Sequence, residues 1–138
     1  MTFLTGLRQR VLLAASAALL LVGCGGSKGV KIEGKIVRNG APLKVEGNDI
    51  LGLSFDGPES KVFPATVNKD GTFVANGVAP GHYKIRLTLA PGGNDAASLA
   101  KARDISKQFD AVNNKLEYEV GSGDQTITVD VEKGTVTK

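Results

Sequence analysis

An all-β body carrying one inserted α-helix, behind an N-terminal export signal, is the architecture this sequence predicts. Three observations lead there. Apolar residues alternate with polar ones in roughly seven short segments, the period of a half-buried strand. Dipeptides of Asn, Asp, Gly and Pro punctuate those segments as turns. One stretch alone, AASLAKARDISKQFDAV, changes to the helical period. Short strands with frequent turns read as an antiparallel sandwich of about seven or eight strands.

The chain opens with Arg8 and Arg10, then an uncharged apolar run over residues 11–22 (VLLAASAALLLV), then Gly23-Cys24-Gly25-Gly26. A charged front, an apolar middle and a small-residue zone make a secretory signal. The run is shorter than the ~20 residues a spanning helix needs. Cys24 is the sole cysteine of the chain, so it has no internal disulfide partner, and an odd thiol in an exported protein needs an explanation. The signal is expected to end within this small-residue zone. Residues 24–29 form a short glycine-rich tether whose last five residues reach at most ~18 Å.

From Val30 the period is two. Val30, Ile32, Gly34 and Ile36 share one face, and Lys31, Glu33 and Lys35 the other. Asn39-Gly40 ends this strand, because both residues tolerate positive φ. Ile50, Leu51, Leu53 and Phe55 predict a second strand, closed by Asp56-Gly57-Pro58. Residues 61–67 predict a third, with Pro64 placing it at an edge or a bulge. Asp70-Gly71 turns a hairpin into Thr72-Phe73-Val74. Ala79-Pro80-Gly81 predicts a type II turn that launches a strand with Tyr83, Ile85, Leu87 and Leu89 on one face. A helix is expected near residues 95–112, capped by Asn94 or Asp95, with Leu99, Ala102, Ile105, Phe109 and Val112 as its apolar stripe. Two strands follow, one through Leu116, Tyr118 and Val120 and one through Ile127, Val129 and Val131. The domain is expected over residues 30–132, with residues 133–138 fraying.

Composition narrows the function. The full chain has 17 Lys+Arg against 14 Asp+Glu. Removal of Arg8 and Arg10 with the signal leaves 15 against 14, so the mature chain is almost neutral. No basic run with interleaved aromatics suggests nucleic-acid binding. The chain has one histidine, His82. A zinc site of two His and a Glu is thereby excluded, and His82 reads as an exposed strand residue. Asp49, Asp56, Glu59 and Asp70 lie near turns without calcium-loop spacing and read as solvated. A Lys35 isopeptide crosslink lacks an Asn on the closing strand. No catalytic residue, no metal and no cofactor are expected, and the chain is not expected to be an enzyme.

Two resemblances add to this. Leu21-Val22-Gly23-Cys24 resembles a bacterial lipobox. That implies cleavage between Gly23 and Cys24, a diacylglycerol on the Cys24 sulfur and an N-acyl chain on the new amine. Each buried methylene contributes roughly 0.8 kcal/mol, so two or three chains hold firmly. Ile32-Glu33-Gly34-Lys35-Ile36 with Asn39-Gly40-Ala41-Pro42-Leu43, and Asp70-Gly71-Thr72-Phe73 with Gly77-Val78-Ala79-Pro80-Gly81-His82-Tyr83-Lys84-Ile85, resemble a carboxypeptidase regulatory-like domain. The resemblance implies a Greek-key, transthyretin-like (prealbumin-like) sandwich, of the kind found in short bacterial lipoproteins, notably of planctomycetes. It makes Gly34, Asp70, Gly71, Pro80, Gly81 and Tyr83 structural turn and packing residues, with the Tyr83 ring buried and its hydroxyl at the rim. Carboxypeptidase and hydroxyisourate hydrolase chemistry are not implied, since both need more than one histidine. The expected role is a lipid-anchored envelope module that is monomeric and contacts a protein or glycan through the Pro64 strand or the helix. The alternative is a small-ligand or carbohydrate carrier. Gly25 in place of an Asp after Cys24 favours the outer membrane over the inner.

Overall fold

The alternation read from the sequence becomes nine strands, one α-helix and a short 3-10 turn (Pro58–Ser60) in the computed structural model, which describes residues 28–110 and 112–138. The signal, Gly23 and Cys24 lie outside the described residues. Strands β1 (Val30–Arg38), β2 (Ala41–Pro42), β3 (Ile50–Asp56), β4 (Val62–Val67), β5 (Thr72–Val78) and β6 (Gly81–Ala90) precede helix α1 (Ala96–Gln108). Strands β7 (Glu117–Val120), β8 (Gln125–Asp130) and β9 (Thr135–Thr137) follow it.

The strands form one mixed sheet in the order β7-β6-β3-β4-β5-β1-β8-β9, with β2 paired to β1. The two outer strands, β7 and β9, come into contact, so the sheet curls almost into a barrel. The expectation of an all-antiparallel sandwich is corrected at one ladder: β1 and β8 run parallel, with Gly34 opposite Ile127. Alternation specifies which face of a strand is buried but not the direction of its neighbour. The count of seven or eight strands also falls short, for two small strands, β2 and β9, escaped the pattern.

The inward face is continuous. Ile32, Ile36, Leu53, Phe55, Phe73, Ile85, Leu87, Leu116, Ile127 and Val129 are fully or almost fully buried in one core. Ile50 departs from the expected stripe and is exposed, because the inward set of β3 is Leu51, Leu53 and Phe55. In β5 the inward set shifts by one residue, from Ala75 to Val78. A register irregularity against Lys31, with Gly77 at φ +72°, absorbs the extra residue. Gly29, assigned to the tether, lies against that irregularity: a Cβ on Gly29 would sit 2.3 Å from the Gly77 carbonyl.

Strand β4 joins the two halves of the sheet. Its first part pairs with β3, Ser54 opposite Pro64, and only Thr66 and Val67 pair with β5. Pro64 therefore sits where the strand has one neighbour, which suits a residue without an N–H. The Asn39-Gly40 turn has both residues at positive φ, +51° and +75°, as a two-residue hairpin requires.

Helix α1 ends earlier than the expected residue 112. Asp95 caps its start through Ser98 N–H, 2.9 Å. The Asp110 carboxylate accepts from Val112 and Asn113 N–H, 2.9 and 2.7 Å, and so draws those groups out of the helical ladder. Ala102 and Phe109 are buried, whereas Leu99 is 38% and Val112 87% exposed. The apolar stripe is thus narrower than its spacing implied.

The expected fraying after Glu132 is also corrected. Asp130 Oδ1 accepts from Glu132 and Lys133 N–H, and Gly134, at φ +65°, completes the turn. Strand β9 then returns along β8 with Val136 opposite Val129 and packed on the core. A three-residue strand is too short to leave a periodic signal. Among the described residues, no helix is long and apolar enough to cross a membrane.

Candidate functional site

The ladders divide the molecule into two ends. Val30 lies opposite Val78, Ile32 opposite Gln125 and Gly81 opposite Val120, so the start of β1, the 79–80 link and the 121–124 loop share one end. Arg38, Ala90 and Asp130 mark the other, where Ile50 pairs with Ala90 and β8 turns into β9. The chain enters the domain at the first end.

The residues singled out from the sequence occupy several places. At Gly34 a Cβ would meet the Ile127 carbonyl at 2.3 Å and the Phe73 ring at 2.7 Å. Phe73, opposite Gly34 in register, covers the glycine. Asp70 accepts from Thr72 N–H at 3.0 Å and from the Thr72 hydroxyl at 2.6 Å, and those bonds hold its carboxyl below the usual carboxylate range. Gly71, at φ +83°, lies under Leu43, whose carbonyl would be 2.5 Å from a Cβ. Pro80 is exposed. Gly81 has φ +151°, far from the ~+80° of a type II turn, so this link is an open bend instead.

Tyr83 holds that bend. Its ring is 3% exposed and meets Phe55 and Phe63 edge to face, at 6.3 and 5.7 Å. Its hydroxyl donates to the Ala79 carbonyl at 2.8 Å, four residues upstream, in the manner of a tyrosine corner.

His82 stands on the outer face of β6 between Glu117 and Glu119, at 3.4 and 3.2 Å, and all three are more than half or about half exposed. The four turn carboxylates are dispersed. Asp56 pairs with Arg86 and accepts from Ser54, Glu59 reaches Lys61 at 3.4 Å, and Asp49 lies at the far end. No group of three potential metal ligands gathers among the described residues. Lys35 is exposed on the outer face between Thr72 and Thr128, far from the buried setting a crosslink would need.

Two positions went unread in the sequence. Asn114, just beyond the helix, is 5% exposed. Its amide donates to the Ile85 carbonyl, its oxygen accepts from Leu116 N–H at 2.8 Å, and Ile85 N–H donates to the Leu116 carbonyl at 2.8 Å. The side chain thus extends the β6–β7 ladder beyond its last backbone pair. Arg38 is the second. It lines a cleft of about 210 Å³ at the far end, between α1 and the 43–49 segment. Leu43, Leu51, Leu89 and Ile105 supply an apolar lining. Lys101 of α1 spans the mouth to Asp49 at 3.5 Å and Glu46 at 3.8 Å. A helix stripe was visible in the sequence, but the loop it would face was not.

Fold and site together define a mostly-β domain whose helix and 43–49 segment frame a small half-apolar cleft opposite the point where the chain enters. No family model and no curated protein match the sequence. Among solved structures, a DUF3823 family protein from Parabacteroides merdae is similar, at 21% identity and a TM-score of 0.44. The match covers 75% of this chain and 46% of the other, so the chain spans less than half of that protein's length.

Proposed function

We propose that the protein is a non-catalytic, lipid-anchored module of the cell envelope, held by Cys24 with its far end presented to a neighbouring protein or glycan. The observation that carries this reading is the order of the N-terminus: two arginines, an uncharged apolar run, then Leu21-Val22-Gly23-Cys24. The thiol is the nucleophile that takes the diacylglyceryl group as a thioether. Six positions separate Cys24 from the first residue of β1, which would keep the entry end near the bilayer and turn the cleft away from it. The finer family reading, a carboxypeptidase regulatory-like, transthyretin-like Greek key as in planctomycete lipoproteins, is supported by the Asn39-Gly40 hairpin and the Tyr83 corner, both on the quoted motifs. The outer membrane is the favoured address, from Gly25.

The test is metabolic labelling with an alkyne palmitate in a bacterial host that processes lipoproteins. The wild-type chain is expected to take up label and to lose its first 23 residues, and Cys24→Ala to do neither. Label on Cys24→Ala, or an unlabelled mature chain with a free thiol, would refute the anchor. A second reading, a small-ligand carrier, is favoured by the cleft.

A further inference from the structure

Among the described residues, Arg38 carries a buried side-chain nitrogen that meets no partner. It ends β1, and its side chain forms one wall of the far-end cleft. Its Nε is buried and has no hydrogen-bond partner. Among the described residues, no carboxylate forms an ion pair with it. The acids that share the cleft are engaged elsewhere. Asp49 accepts from Gly92 N–H at 2.8 Å and faces Lys101, which also takes Glu46. Lys44, exposed at the same cleft, adds a further positive charge.

A buried N–H of a cation with no acceptor raises the free energy of the folded state. That Nε is closed to solvent, so an incoming anion meets the guanidinium at its Nη groups, which match a carboxylate fork to fork. The remaining lining is aliphatic, so the anion needs an apolar body to displace water from Leu43, Leu51, Leu89 and Ile105. The volume of about 210 Å³ limits that body to a short chain. We propose that this cleft binds a compact aliphatic carboxylate, with its carboxylate on Arg38 and its tail on the aliphatic lining. The inference rests on the carrier reading above and not on the lipid anchor.

The full chain, purified from a whole-cell lysate in a mild detergent, is titrated calorimetrically with 4-methylpentanoate and with its neutral isostere 4-methylpentanamide. The acid is expected to bind at least about tenfold more tightly than the amide, as hydrogen bonds to a charged group warrant. Arg38→Gln is expected to bring the two ligands to equal affinity with an unchanged or raised melting midpoint, since it removes the unpaired charge. Ile105→Trp, which fills the cleft from the half-buried face of α1, is expected to abolish binding of both and keeps the test open if Arg38→Gln does not fold. Equal affinities in the wild type, an acid preference that survives in Arg38→Gln, binding that survives in Ile105→Trp, or inorganic phosphate binding as well as the acid would each overturn the proposal. Acyl labelling is scored on the same preparation, so failure of the cleft and failure of the anchor are read separately.

Discussion

A single buried amide decides how two strands join. Asn114 satisfies the Ile85 carbonyl and Leu116 N–H at a point where the β6–β7 backbone ladder has run out. Asn114→Ala would leave both groups buried without partners, and each such group costs about 1–3 kcal/mol. We expect a loss of about 2–4 kcal/mol in urea unfolding; an unchanged midpoint would show that water replaces the amide. The sequence gives no hint of this, because an Asn after a helix is equally well explained by the stop it provides. Tyr83 differs. Its place two residues after Gly81 on an alternating strand marks an inward ring, and burial brings its hydroxyl to the Ala79 carbonyl.

Hairpin turn and helix cap share one device, a carboxylate bonded to N–H and O–H groups a few residues ahead. Asp70 is held by the Thr72 hydroxyl and then its N–H, Asp95 by the Ser98 hydroxyl and then its N–H, Asp110 by Asn113 and Val112 N–H, and each carboxyl lies below its ordinary value of 3.8. A lowered folded value means that the stabilisation is complete above the unfolded value and is lost as the pH falls through the folded one. Stability should therefore hold above about pH 5 and decline through and below 3.8. Asp70→Asn with Asp95→Asn keeps acceptors at both positions without a titrating group, so the acid decline should flatten when thermal midpoints are followed against pH. A decline as steep as that of the wild type would assign it to other carboxylates. Cap and hairpin were legible in advance, because both depend on residues within three positions of one another.

The sheet as a whole closes through its last three-residue strand. Strand β9 lies beside β8, touches β7 and places Val136 on the core. Truncation after Lys133 would expose that edge and remove a partly buried valine with its ladder bonds. A loss of about 1–3 kcal/mol is expected from the area and hydrogen bonds removed, together with faster amide exchange along β8. If neither changes, β9 contributes nothing to closure. The cleft belongs to this scale as well. Its walls come from β1, the 43–49 segment, β3, β6 and α1, which no sequence window brings together.

Local order in the chain was enough to settle the all-β character, the inward faces of β1, β6, β7 and β8, the Asn39-Gly40 and Asp70-Gly71 turns, a cap at Asn94 or Asp95 and the presence of one helix. Each follows from periodicity or from the φ preference of one or two residues, and such information is carried by neighbours along the backbone. Tertiary packing alone decided the parallel β1–β8 pairing, the curl that brings β7 to β9, the inward turn of Asn114 and the burial of the Arg38 Nε without a partner. Those depend on contacts between residues far apart in the chain, where alternation specifies that a surface is buried but not what buries it.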